Sequence, residues 1–315
     1  CKSTVPVGTN KKVLDILLKN KPESADVAVA SCPEFLREGT ALFDTANPDR
    51  VVIGSHSEKA VQTLLELHKP LGGERVITDL ASAELIKYAA NSMLATKISF
   101  ANLISFYCEQ AGADVETVLN AVGFDKRIGR AFLFPGIGYG GACFPKDVKA
   151  LIHSGKELSI ETSLLDSVEQ INKDSRERFV TKIKKYIPGR NIAIWGLSFK
   201  PNTDDIREAP SIFIVKDLLE NGYQLTVYDQ EAMKHIKKLF GEKLQYADNP
   251  YSALDKKDGL VILTEWNEFK QADLTKVSKR LKNSIIVDGR NIYNPEVMHK
   301  LGFKYYSVGR PNNNT

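Results

Sequence analysis

Asn191-Ile192-Ala193-Ile194-Trp195-Gly196-Leu197-Ser198-Phe199-Lys200-Pro201-Asn202-Thr203-Asp204-Asp205-Ile206-Arg207 is the stretch that decides the fold class. Its apolar start predicts a buried strand, and the glycine and polar residues behind it predict a loop. Ser211 to Asn221 reads as a helix, and Leu225 to Tyr228 as a second strand closed by Asp229. Strand, glycine loop, helix, strand and aspartate form the mononucleotide-binding half of a doubly wound α/β sheet. The loop lacks the full G-x-G-x-x-G, so the pattern alone does not imply a dinucleotide. Gly259 to Thr264 and Ile285 to Val287 predict further buried strands, and Asp288-Gly289-Arg290 follows the latter directly. The carboxyl ends of such strands face the ligand crevice, so Lys200, Arg207 and Arg290 are placed to meet an anion.

Upstream of Pro188-Gly189 the pattern is helical. Ser163 to Ile187 predicts one long helix, whose polar centre, residues 172–178, suggests a bridge between domains rather than a place in one core. Ala83 to about Gly112 predicts another, followed by a short helix over residues 113–123. Lys87 and Asn91 sit one turn apart on the same face of the long helix. They either point at a ligand or lie in solvent.

Between these helices runs Gly138-Tyr139-Gly140-Gly141-Ala142-Cys143-Phe144-Pro145-Lys146-Asp147. Three glycines in four residues let the backbone turn sharply and approach a ligand. A thiol flanked by a cation and a carboxylate has what a cysteine nucleophile needs, although Cys143 as small core filler gives the same string. A helix is expected over Asp147 to Ser154. The preceding segment, Gly129 to Gly138, with Phe132-Leu133-Phe134 at its centre, suits a lid or pocket wall better than a core element.

The first residues alternate helix and strand but begin in mid-pattern. Lys2 to Thr9 reads as the end of a strand entering a loop. A helix follows over Asn10 to Asn20, with Val13, Leu14, Leu17 and Leu18 on its apolar face. Ala25 to Ala30 and Arg50 to Gly54 are expected as strands, and residues 57–68 as a helix. Glu34 and Glu38, four apart, would share one side of a helical turn.

At 315 residues the chain is long for one core, so two domains are expected. A net charge of +4 with scattered cations gives nucleic-acid binding no support. No apolar run approaches a membrane span. Cys1, Cys32, Cys108 and Cys143 show no CxxC or metal-like spacing, which implies free thiols in a reducing, cytoplasmic setting and no metal. The tail from Arg310 to Thr315 reads as disordered.

Five motifs occur in a fixed order: Ser3-Thr4-Val5-Pro6-Val7-Gly8, Pro33-Glu34-Phe35-Leu36-Arg37-Glu38-Gly39, Lys87-Tyr88-Ala89-Ala90-Asn91, Gly140 to Asp147, and Gly196 to Arg207. In this the chain resembles the UDP-glucose 6-dehydrogenase group of the nucleotide-sugar dehydrogenases. The resemblance implies an α/β protein in three parts. Residues 1–77 would be the C-terminal remnant of an NAD-binding Rossmann domain. Residues 78–187 would be a central all-helical region that dimerises and carries catalytic groups, and 188–315 a Rossmann-like UDP-binding domain. Most of the first domain, on the order of 100 residues, would then be missing. The chain alone is accordingly expected not to turn over.

The resemblance also implies a chemistry. UDP-glucose would be oxidised twice by NAD to UDP-glucuronate through a cysteine thiohemiacetal and thioester, in a homodimer or larger homo-oligomer. Cys143 resembles the nucleophile, Lys87 and Asn91 the oxyanion-stabilising pair, and Asp147 the carboxylate that positions water. Glu34 resembles the general base and a substrate contact. Thr4 would hold water and meet the cofactor, with Glu38, Lys146 and Arg207 as further cofactor contacts. Phe132, Leu133, Gly138, Lys200 and Arg290 resemble sugar-nucleotide contacts. The group usually has Asn at position 32 and Ser at 142, and often Glu at 103, where this chain has Cys32, Ala142 and Leu103. GDP-mannose 6-dehydrogenase shares the chemistry and is the nearest alternative. A non-catalytic nucleotide-sugar-binding dimer fragment is the alternative of another kind.

Overall fold

The computed structural model describes residues 1–311. Contacts divide the chain into two compact units, one comprising residues 1–93 and 146–162, the other 94–145 and 163–315.

The second unit is built on a six-stranded parallel sheet. Its spatial order is Gln245–Tyr246, Gln224–Tyr228, Asn191–Trp195, Gly259–Ile262, Ile285–Asp288, Lys304–Ser307. Numbered along the chain this is 3-2-1-4-5-6, the doubly wound order, which reverses beside Asn191–Trp195. The strands are buried on both faces, so their side chains alternate between two cores. Ile192 and Ile194 join Val261, Val287 and the helix residues Phe179, Ile183, Ile214 and Leu218 on one face. Ala193 and Trp195 join Leu260, Ile262, Ile286 and Phe269 on the other. Parallel strands covered on both sides need such continuous apolar runs, and that is why the run opening this fold was readable. The short strands Gln245–Tyr246 and Lys304–Ser307 carry too little apolar signal to have been expected.

Helix Ser163–Tyr186 lies entirely in this unit, which corrects the bridging expectation. Asn172 and Ser175, in its polar centre, are buried rather than solvated. The segment before Cys143 is likewise more than a wall, since Ile137 is fully buried in the first of these cores. Arg310 is held, its Nη1 donating to Tyr293 O at 2.9 Å. The rest of the expected disordered tail, from residue 312, lies outside the described residues.

The first unit has a two-stranded parallel sheet, Arg50–Gly54 beside Glu74–Thr78, with helices Thr9–Asn20, Ala41–Ala46 and Glu58–His68. No strand forms over residues 25–30. Only Ser31 pairs in sheet fashion, exchanging both backbone hydrogen bonds with Gly54 at 2.8 Å. The neighbouring groups instead bond to the chain start: the Cys1 ammonium donates to Ala30 O at 2.7 Å and Cys32 N–H to Cys1 O at 2.8 Å. The apolar face expected on the first helix is not a core face either. Val13, Leu17 and Leu18 are 40%, 40% and 49% exposed, whereas Asn10 is buried.

Helix Leu80–Ala111 is continuous. Helix Phe144–Glu157 begins immediately after Cys143, three residues earlier than expected.

Candidate functional site

In the first unit, the face of helix Leu80–Ala111 that carries Lys87 and Asn91 is buried. Their relative exposures are 4% and 7%, so the solvent-facing alternative is excluded. A buried ammonium and amide must be paired to be tolerated. Lys87 Nζ lies 3.5 Å from Glu34 Oε1 and 5.3 Å from the centre of the Phe35 ring, against which Arg50 also stacks. Asn91 Nδ2 donates to Asp147 Oδ2 at 2.6 Å, and Lys146 Nζ lies 2.9 Å from Asp147 Oδ1. Asp147 is 1% exposed. Burial, and after it the charge of Asp147, raises the pKa of the neighbouring Tyr88 hydroxyl. Lys87 thus pairs with Glu34, while Asn91, Asp147 and Lys146 form a second linked group one helical turn on.

Glu84, one turn before Lys87, fixes the chain start. Its carboxylate accepts from Gly8 N–H at 2.6 Å, Asn10 N–H at 2.8 Å and Asn10 Nδ2 at 2.7 Å. Thr4 is half-buried in the segment so anchored. Glu34 and Glu38 do not share a helical face. Residues 32–37 form no regular structure, Glu34 Oε2 accepts from Leu36 N–H at 2.6 Å, and Glu38 is exposed at the turn that follows.

Cys143 belongs to the second unit by contacts. It is exposed, forms no disulfide, and directly precedes helix Phe144–Glu157, where free N–H groups favour an anion. Asp147 lies in the first turn of that helix. Cys32 and Cys108 are buried, and burial raises the Cys108 thiol pKa.

The glycine loop is held on two sides. Asn172 Oδ1 accepts from Tyr139 N–H at 2.8 Å and Asn172 Nδ2 donates to Tyr139 O at 3.2 Å. Gly138 has φ 95°, and a Cβ there would sit 2.5 Å from Asn172 Oδ1. On the other side Gly141 N–H donates to Arg207 O at 2.9 Å, and a Cβ would meet the Phe199 ring at 2.8 Å. The Tyr139 hydroxyl donates to Glu169, and burial with that bond holds its pKa far above the usual range. The Phe144 ring meets Phe132 and Tyr139 edge-on at 6.2 and 5.9 Å. Phe132 has φ 65°, a strained value for a residue with a side chain, and Leu133 is buried beside it.

Arg290 reaches the point where the strand order reverses. Its Nε donates to Leu263 O at 2.9 Å, Nη1 to Gly138 O at 3.2 Å and Nη2 to Phe199 O at 3.5 Å, and Glu265 Oε2 lies 3.3 Å from Nε. Lys200 Nζ stands 5.3 Å from the centre of the Phe199 ring. Arg207 forks onto Asp205 at 2.8 and 2.9 Å. The structure therefore brings Gly138, Phe199, Arg290 and the loop bearing Lys200 and Arg207 together at the carboxyl edge of the sheet.

Asn172, Tyr139 and Glu265 were missed in the sequence. The signal for Asn172 was an amide inside a helix of otherwise apolar period. Asp229 was read only as the close of a nucleotide pattern. It is 1% exposed and accepts from Leu197 N–H at 2.7 Å, Ser198 N–H at 3.1 Å and Trp266 Nε1 at 3.1 Å.

Three models of one family match the chain. These are the NAD binding domain over residues 1–72, the central domain over 81–174 and the UDP binding domain over 193–295 of the UDP-glucose/GDP-mannose dehydrogenase family. The chain is 45% identical over 313 residues to UDP-glucose 6-dehydrogenase TuaD of Bacillus subtilis, covering 98% of this chain and 68% of that one. It is 43% identical over 325 residues to UDP-glucose 6-dehydrogenase of Pseudomonas aeruginosa, covering 98% and 72%. Among solved structures, a UDP-glucose dehydrogenase from Pyrobaculum islandicum superposes with a TM-score of 0.88 at 36% identity, covering 98% and 69%.

Proposed function

The chain belongs to the UDP-glucose/GDP-mannose dehydrogenase family, and we propose that it serves the four-electron oxidation of UDP-glucose to UDP-glucuronate. The observation that carries this reading is the buried set Lys87, Asn91 and Asp147, with an exposed thiol at the start of the helix that bears Asp147.

Two NAD molecules, bound in turn, would supply the hydride acceptor of each oxidation. A buried ammonium and amide suit an oxygen that gains negative charge, and the Glu34 carboxylate beside Lys87 is the group present that suits a cationic nicotinamide ring. Thr4, Glu38, Lys146 and Arg207 are the residues proposed to hold NAD. In the first oxidation C6 loses a hydride and its hydroxyl releases a proton to water, giving an aldehyde. The Cys143 thiolate adds to C6, forming a C–S bond, while Lys87 and Asn91 donate to the oxygen on which charge develops. Loss of a second hydride from C6 lets that oxyanion collapse to the carbonyl of a thioester. Glu34 takes a proton from water, the water oxygen bonds to C6, and the C–S bond breaks to release carboxylate and thiol. Asp147 orients Asn91 through the 2.6 Å bond and shares the Lys146 charge. Lys200 and Arg290 neutralise the diphosphate, with Phe132, Leu133 and Gly138 along the sugar nucleotide.

The test is binding and protection on the 315-residue chain. UDP-glucose is expected to bind more tightly than GDP-mannose in calorimetry and to slow alkylation of Cys143 by iodoacetamide. Tighter binding of GDP-mannose assigns the other substrate, and alkylation of Cys143 at an unchanged rate removes its proposed role.

A further inference from the structure

A groove of about 420 Å³ within the second unit is lined by none of the residues assigned a role above. It is lined by Arg178, Lys182, Lys185, Tyr186, Arg310 and Glu109. Four cations therefore share one concave surface, and the acids nearby do not balance them. Glu109 is engaged by Lys182 and by Gly309 N–H at 2.8 Å, and Glu177, which also lines the groove, lies 3.7 Å from Lys173. Arg178 stacks 4.3 Å from the Phe106 ring centre and Lys185 5.1 Å from that of Tyr186.

The floor is buried and polar. Lys182 Nζ donates to Glu109 and to Ser307 O. Burial lowers its pKa, against the pull of Glu109, and the like charges of Lys185 and Arg178 add to the lowering. Arg310 donates through Nη1 to Tyr293 O, yet its buried Nε finds no hydrogen-bond acceptor among the described residues, with Asp114 at 3.6 Å. One wall is Tyr186, stacked on Tyr306 at 3.7 Å between centres and 11° between planes. Like charges held together over a buried, under-satisfied guanidinium are relieved by an anion, and arginine forks suit phosphate oxygens. The volume falls within the range of small-molecule sites.

We propose that this groove is a second ligand site, distinct from the nucleotide-sugar site, which takes an oligophosphate anion. Arg178, Lys185 and Arg310 bind the phosphates and Lys182 fixes their floor. Inorganic tripolyphosphate and ATP share that chemistry and differ in whether a base is present to lie against Tyr186.

The experiment titrates the 315-residue chain with each compound by calorimetry, with UDP-glucose saturating so that the first site is occupied. Binding of tripolyphosphate is expected, at one site per chain. Arg178→Glu together with Lys185→Glu, both exposed positions, is expected to weaken it by about tenfold or more, whereas Lys185→Arg retains it. UDP-glucose affinity of all variants should stay within about twofold, as expected for sites without shared partners. ATP binding more tightly than tripolyphosphate, with the difference lost in Tyr186→Ala, supports a nucleotide ligand, and equal affinities support the phosphate chain alone. Absence of binding under UDP-glucose saturation overturns the proposal, as does unchanged binding in the doubly reversed variant.

Discussion

Asn172 grips Tyr139 by both of its backbone groups, with the side-chain amide taking the place of a neighbouring strand. Helix Ser163–Tyr186 thereby sets the entry of the loop that ends at Cys143. Asn172→Ala leaves a buried N–H and C=O without that partner. The expected cost is about 1–3 kcal/mol, read by urea denaturation, together with a changed rate of Cys143 alkylation. Asn172→Asp keeps the acceptor and loses the donor, so it should fall between wild type and alanine.

Gly138 answers to the same contact from the other side. Alanine there meets both a positive φ and Asn172 Oδ1 at 2.5 Å. Gly138→Ala is expected to destabilise by about 1–3 kcal/mol. The double variant Gly138→Ala/Asn172→Ala should cost less than the sum of the two single changes, because the clash disappears with the amide. Strict additivity would show that the two positions act independently.

Thiol reactivity separates the cysteines. Cys1 and Cys143 are exposed, whereas Cys32 and Cys108 are buried and burial raises the Cys108 pKa. Peptide mapping after brief iodoacetamide treatment at neutral pH should find label on Cys1 and Cys143, with Cys32 and Cys108 reacting only on unfolding. Early label on Cys32 would mean that the pairing around Ser31 opens readily.

Arg290 and Lys200 should contribute unequally to UDP-glucose binding. Arg290 is already fixed by three carbonyl oxygens, so little ordering remains when an anion arrives. Arg290→Ala is expected to weaken binding by about a hundredfold and Lys200→Ala by about tenfold, measured by calorimetry. Equal losses would remove preorganisation as the reason.

Alkaline pH should unfold the chain. Burial raises the hydroxyl pKa of Tyr139, Tyr293 and Tyr305 well above 10.0, and that of Tyr228 to about 12. In the unfolded chain these groups lose protons near pH 10, while the folded chain keeps them, so the unfolded state binds fewer protons. Stability is therefore level below about pH 10 and falls as pH rises toward the folded-state values. Denaturant midpoints between pH 9 and 11.5, with tyrosinate absorbance, measure this. A midpoint that holds steady above pH 10 would count against the burial of these hydroxyls.

The sheet of the second unit was readable because parallel strands buried on both faces are continuous apolar runs. Lys87 and Asn91 were readable as a pair, since helical spacing places them on one face, but not as buried, which depends on Glu34 and Asp147 from distant parts of the chain. Residues 25–30 misled because apolar composition registers a tendency to extend without registering whether a partner strand stands alongside. Val13, Leu17 and Leu18 misled for the opposite reason: periodicity describes a face, and burial depends on what covers it. Asn172 was readable as an amide in a helix, but its partner was not, because a backbone amide leaves no trace in residue identity.

Asp229 carries a consequence for redesign. In doubly wound sheets the acid after the second strand is the usual handle for changing which ribose is accepted. In the second unit that acid is turned inward, tying the first and second strand ends and Trp266 into one knot. Exchanging it for a cation or a small polar residue would loosen the sheet before it altered any preference for ligand. The selectivity of this edge is better retuned from the crevice side, at the loop bearing Phe199 and Lys200, than at the acid that ties the strand ends together.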